Sequence, residues 1–281
     1  MKRISKPSFN VKDVLTACVT KSSTHTSSRN IVKASGEIEK KENEYDVKKQ
    51  NNTLHTLPQK QDVNGILDID GLKNIYSNRM LKEDNDARYY YDKILSSAPR
   101  GKCPYCNLGT ATTLDHYLPK SLYPIYSVTP INLVPACKDC NTGKLTEYPT
   151  CSENETLHPY YDNVEGERWL FMRVVELYPI VFEFYVDAPD YWGALMKKRL
   201  EVHLYSFNLN TQFSIHAQEE LDTRKIYFNK LFQNGGHAEL KEFLYESYLS
   251  SFDNNKNAWQ TAFYDGLCNC EEFVNSYFSF L

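Results

Sequence analysis

The stretch that decides the reading runs from residue 103 to residue 145: CPYC at 103–106, TLDHYLPKSLYP at 113–124, INLVPACKDCNTGK at 131–144, and Leu145. Two Cys-x2-Cys pairs, Cys103 with Cys106 and Cys137 with Cys140, are separated by thirty residues and bracket Asp115, His116 and Asn132, with Asn141 just beyond. Four thiolates in two turn-forming pairs suit a tetrahedral structural zinc. Such a closed site has no open position for a substrate, so the zinc is expected to hold shape and perform no chemistry. Leu114 and Asn132-Leu133-Val134 read as short strands, 117–131 as a Pro-broken connection, and 139–144 as a helix. A β-loop-β-helix unit of this size needs a staple to fold.

A redox reading competes at the first pair. CPYC also looks like the glutaredoxin active site, where a low-pKa thiolate opens a helix after a strand. Here Pro99-Arg100-Gly101-Lys102 precedes the pair in place of an apolar strand, and a second pair with knuckle spacing follows. Both features favour the metal. The remaining thiols, Cys18, Cys151, Cys268 and Cys270, read as free, the last two being too close for a zinc pair.

From the first cysteine pair to Lys144, the order CxxC, DH, NLVPAC, CxxCN and Lys resembles the HNH endonuclease motif, the ββα-metal nuclease fold, in a variant held by a four-cysteine zinc. By position, His116 resembles the general base that activates water, and Asp115 and Asn141 resemble ligands of a catalytic Mg or Mn. Asn132 resembles the residue that braces the loop and orients the histidine, and Lys120 and Lys144 are candidate phosphate contacts. The chemistry agrees with these roles. Phosphodiester hydrolysis needs a base near neutral pKa, which histidine offers, and a cation held by hard oxygen ligands that keeps positions free for phosphate and water. Asp115 and His116 are neighbours, however, and neighbours on a regular strand face opposite ways, so both reach one site only if the strand ends or bulges there.

Outward from the motif, the 281 residues are 41% hydrophobic, enough for one large core or two small domains. A basic N-terminal helix and polar arm are expected over 1–62, a helical segment over 63–99 and the HNH module over 100–146. Residues 147–281 are expected to hold a β-hairpin and acidic helices, a candidate partner-docking region. Residues 21–61, rich in Ser, Thr, Asn, Lys and Glu, read as a flexible or loosely helical arm or as a basic arm that contacts a partner. WLFMRVVELYPIVFEFYV at 169–186 reads as the hairpin, and aromatic stripes from Tyr191 onward read as helices broken at 234–236 and 253–255. The fold class expected is α+β, mainly helical around a central ββα module. No apolar run approaches the roughly 20 residues of a membrane span, and no signal segment is evident, so a cytoplasmic location is expected.

The formal net charge of −4 hides an asymmetry: residues 1–60 carry +6 and residues 147–281 carry −11. An acidic C-terminal part repels phosphate, so the basic parts or another subunit must hold nucleic acid. More widely, CPYC with LDHYLPKS, NLVPAC, HPYYD and a helical C-terminal part is similar to the HNH effectors of Septu-type and retron-associated antiphage systems. That resemblance implies an ATPase partner and a nucleic-acid substrate, DNA first, with RNA or tRNA open. Two other readings stand beside it, a non-catalytic zinc-stapled scaffold and an autonomous restriction-type endonuclease.

Overall fold

The N-terminal residues Asn10 and Asp13 bond reciprocally, Asn10 N to Asp13 Oδ2 at 3.0 Å and Asp13 N to Asn10 Oδ1 at 3.2 Å, a capping box that opens α1 (Val11–Val19). The apolar face of α1, Val11, Val14, Leu15 and Cys18, follows the helical repeat and packs on α2 (Thr26–Gln50). The computed structural model describes residues 1–19, 25–144 and 147–280, apart from the side chains of 279 and 280. Leu145 at the end of the motif, and residues 21–24 of the expected arm, lie outside the described residues.

The rest of that expected arm is corrected here. Residues 26–50 form one continuous helix whose buried stripe is Ser28, Ile31, Ala34, Ile38, Glu42, Tyr45 and Lys49. The spacing of three and four residues is that of a packed helix, but polar side chains occupy three positions of the stripe, so an apolar count misses it. Glu42 caps the start of α1, accepting from Val11 N at 2.9 Å. Lys49 forms an ion pair with Glu155 and lies 3.4 Å from Asp162, all inside the core.

Next comes α3 (Ile69–Ile75), capped by Asp68, whose Oδ1 accepts from Gly71 N at 2.7 Å. It runs into a π-helical turn, Tyr76–Met80, closed by Leu81 N to Tyr76 O at 3.0 Å. After α4 (Arg88–Ser96), the antiparallel strands β1 (Thr113–His116) and β2 (Leu133–Ala136) pair in unbroken register, and α5 (Lys138–Lys144) lies against β1. The connection between the strands is a loop with two short 3-10 turns, each opened by a proline, Pro124 and Pro130.

The described residues divide into two compact units, Met1–Asn163 and Val164–Leu281. The boundaries expected at 62, 99 and 146 therefore fall inside the first unit, because α2, α4 and the segment through Asp162 bury their side chains around the ββα module. In the second unit β3 (Leu170–Leu177) and β4 (Ile180–Val186) form the expected antiparallel hairpin. It is followed by α6 (Gly193–Ser206), α7 (Leu209–Asn254), α8 (Trp259–Cys268) and α9 (Glu271–Ser276). Gly236, at φ 68°, breaks α7 within the expected Asn-Gly-Gly stretch, a conformation few residues other than glycine adopt. The fold is mixed α+β and mainly helical, with two small antiparallel sheets. Among the described residues no helix is long and apolar enough to cross a membrane.

Candidate metal centre and active site

Cys103, Cys106, Cys137 and Cys140 are all buried, and their sulfur atoms lie within 4.8 Å of one another. Two turns present them. Asn107 N bonds Cys103 O at 2.7 Å, Cys103 N bonds Gly109 O at 2.8 Å, and the amides of Leu108 and Gly109 each point at Cys106 Sγ from 3.4 Å. At the second pair Cys140 N lies 3.4 Å from Cys137 Sγ. Gly109 is required by this packing, since a Cβ there would meet Cys137 Cβ at 2.8 Å. The four thiols are bonded into one network that holds Cys106 and Cys137 down and Cys103 and Cys140 up. Four thiolates in one buried cluster need a dication. The Cys106–Cys137 sulfur separation of 3.9 Å matches the edge of about 3.8 Å implied by Zn–S bonds of about 2.3 Å in a tetrahedron. The donor set thus fits a metal such as zinc.

The turn that carries the first pair also carries Tyr105, wholly buried, whose hydroxyl donates to Asp115 Oδ2 at 2.9 Å. On the same oxygen, Lys144 Nζ lies at 3.1 Å, and it also donates to the carbonyls of His116 at 3.0 Å and Tyr117 at 2.5 Å. Lys144 has a side chain only 4% exposed, so the expectation of a phosphate contact there is corrected: the ammonium group is spent inside the fold. Both bonds to the Asp115 carboxylate end on Oδ2. Asn141 Nδ2 lies 3.3 Å from Thr113 Oγ1, which leaves the amide oxygen as the acceptor of that side chain. Thr113 and Asp115 share one face of β1, so Asp115 and Asn141 stand on the α5 side of the hairpin.

His116 has other neighbours. Its Nε2 lies 2.8 Å from Ser127 O, and the Tyr76 ring meets the imidazole edge-on with centroids 4.5 Å apart. Register along β1 is regular, without a bulge, and of the two expected conditions it is the end of the strand, at His116, that is met. The imidazole and the Asp115 carboxylate are not in contact, although the charge on Asp115 is felt at the ring. Burial lowers the His116 pKa from 6.5 to about 4; the Ser127 carbonyl and Asp115 pull it up, Lys120 and Lys144 push it down, and burial prevails.

Asn132 is buried and makes three bonds across the loop. Its Oδ1 accepts from Leu118 N at 2.7 Å, and its Nδ2 donates to Leu118 O and Tyr126 O, each at 3.1 Å. Those bonds fix both ends of the segment that delivers Ser127, and Ser127 Oγ donates to Leu72 O of α3 at 2.7 Å. His158 packs on Tyr117 with centroids 4.2 Å apart, in the core layer of Lys49, Glu155 and Asp162, and makes no contact with His116 among the described residues.

The chain is similar to a known phage protein. It is 30% identical over 216 residues to protein ea31 of Escherichia phage lambda, spanning 72% of this chain and 73% of that protein. The chain belongs to the ea31 family. No protein-family model and no solved structure matches it.

In this member of the ea31 family, three neighbours of the motif residues carry no signal in the sequence. Ser127 acts through its backbone carbonyl, which no sequence pattern marks. Tyr76 lies forty residues before His116 on a different element, and only the fold brings the two together. Tyr105 sat in view between two cysteines, but nothing in CPYC indicates that its hydroxyl reaches Asp115.

Proposed function

We propose that the chain is a metal-dependent HNH endonuclease that hydrolyses phosphodiester bonds of nucleic acid, with His116 as the base. The observation that carries this reading is the bond between His116 Nε2 and the Ser127 carbonyl. A carbonyl only accepts, so the ring proton sits on Nε2 and Nδ1 keeps its lone pair. With its pKa held low by burial, the ring is neutral at pH 7 but a weak base in the free protein. An arriving phosphate dianion or diester raises the proton affinity of the ring by placing negative charge beside it.

Oxygen atoms of Asp115 and Asn141 would hold a Mg or Mn ion, which supplies positive charge at the phosphate and the leaving oxygen when bound. Lys144 already neutralises Asp115, so this pair binds a dication weakly until substrate oxygens join the coordination. Lys120 would meet the phosphate, Asn132 holds the loop, and a zinc on the four cysteines holds the fold and does no chemistry. Plasmid nicking and RNA cleavage with Mg or Mn, comparing wild type with His116→Ala, test the assignment; equal activity in both sinks it.

The same proposal places the chain as the nuclease effector of an antiphage complex that includes an ATPase. In support, residues 164–281 carry 10 Lys+Arg against 17 Asp+Glu, a poor surface for nucleic acid and a fair one for a basic protein. Copurification from the native host tests it: a chain that purifies alone and cleaves at its full rate rules the partner out.

The buried Lys144–Asp115 ion pair favours a second reading, a zinc-stapled scaffold in which Asp115 is structural. A scaffold keeps its biological activity in His116→Ala and Asn141→Ala, and a nuclease does not.

A further inference from the structure

Tyr76 belongs to no part of the motif, yet it is the ring against which the candidate base rests. It opens the π-helical turn Tyr76–Met80, a geometry in which one residue is inserted and the side chain at the turn is re-aimed. The buried ring meets the His116 imidazole edge-on, with 4.5 Å between centroids and 71° between planes. The Lys120 ammonium lies over the same ring, 4.7 Å from its centroid. Lys120 has no carboxylate within ion-pair distance among the described residues, and burial, with the charge of Lys73 on α3, lowers its pKa. Lys73 is paired with Asp70 at 3.3 Å, which leaves Lys120 as the cation beside His116 that can meet an anion.

The same element holds His116 from a second side. Leu72, one turn before Tyr76, accepts the hydroxyl of Ser127, the residue whose carbonyl takes the imidazole proton. The segment 69–80 thus fixes the orientation of the ring through Ser127 and its position through Tyr76.

We propose that Tyr76 is a positioning residue that seats the His116 imidazole and the Lys120 ammonium against one ring, so that base and cation address the same phosphodiester. The proposal rests on the nuclease reading for its chemistry, while the seating of His116 stands apart from that reading.

The test uses Tyr76→Leu and Tyr76→Phe in the full chain, each first checked for a cooperative thermal transition. Imidazole 1H–15N correlation spectra report the His116 tautomer, and cleavage of a labelled DNA duplex with Mn reports kcat and KM separately. In Tyr76→Leu the single Nε2-protonated signature gives way to averaged tautomers, kcat falls about tenfold or more, and KM rises roughly threefold to tenfold as the ring under Lys120 is lost. Tyr76→Phe keeps the ring and restores all three. An unchanged spectrum in Tyr76→Leu overturns the proposal, as does a Phe variant that behaves like Leu. If the wild type cleaves nothing, the nuclease reading fails, and the spectra alone still decide whether Tyr76 seats His116.

Discussion

Lys144 Nζ bonds the carboxylate of Asp115 at 3.1 Å and, in the same position, the carbonyls of His116 and Tyr117. A lysine from the end of α5 therefore clamps the end of β1 through three acceptors, one of which, Asp115, it shares with the Tyr105 hydroxyl. Replacing it by Met leaves a buried, charged Asp115 with only the Tyr105 hydroxyl as donor, at a cost of about 3–5 kcal/mol. Thermal unfolding should show a large loss for Lys144→Met and a partial recovery when Asp115→Asn is added. Additive losses in the double variant would mean that the ion pair contributes nothing by itself.

His116→Ala should retain the fold, because the residue closes β1 at a part-exposed position, and should lose about a hundredfold or more in cleavage rate. Circular dichroism together with a nicking assay separates the two effects. Loss of structure with loss of rate would remove the base assignment from contention.

Cys137→Ser should release the bound metal and unfold the ββα module, since the donor set falls from four thiolates to three. Metal content by elemental analysis should drop from about one zinc per chain to a substoichiometric value. A variant that keeps full stability without metal would show that the cluster is held by packing alone.

Glu42 gives the fold a pH dependence. Burial raises its carboxyl from 4.5 to about 7 against the opposing pull of the Val11 amide, and Glu39, Asp46 and Asp13 push it further up. The folded chain therefore holds a proton that the unfolded chain releases. This contribution is complete below about pH 4.5 and is lost as pH rises through about 7, amounting to at most about 3 kcal/mol. Glu42→Gln should flatten the fall in melting temperature between those values and raise stability at pH 8. An identical slope in the variant would assign the dependence to another group.

The ββα module was legible because its grammar is local: paired cysteines mark turns, Asn132-Leu133-Val134 marks a strand, and Lys138–Lys144 follows a knuckle. Helix α2 was not legible as a packed element. Its inward positions include Glu42 and Lys49, whose burial depends on Val11 and on Glu155 respectively, and no short window of sequence contains both members of either pair. Lys144 was misjudged for the same reason, because an ammonium group looks like surface until three acceptors are seen around it. The regular register of β1 bears on the concern over adjacent Asp115 and His116, since the two side chains contact different partners.

Tyr105 sits inside the Cys103–Cys106 turn and reaches out to Asp115. The shape of that turn depends on the sulfurs it presents, so the phenol stays on the carboxylate only while the knuckle is closed. A change at the cysteines is therefore carried, through one residue of the turn, to the carboxylate that Lys144 also holds. A cluster with no open position for substrate thereby acquires a say in the charge balance at the neighbouring strand, and the thiols become a fuse for whatever Asp115 does.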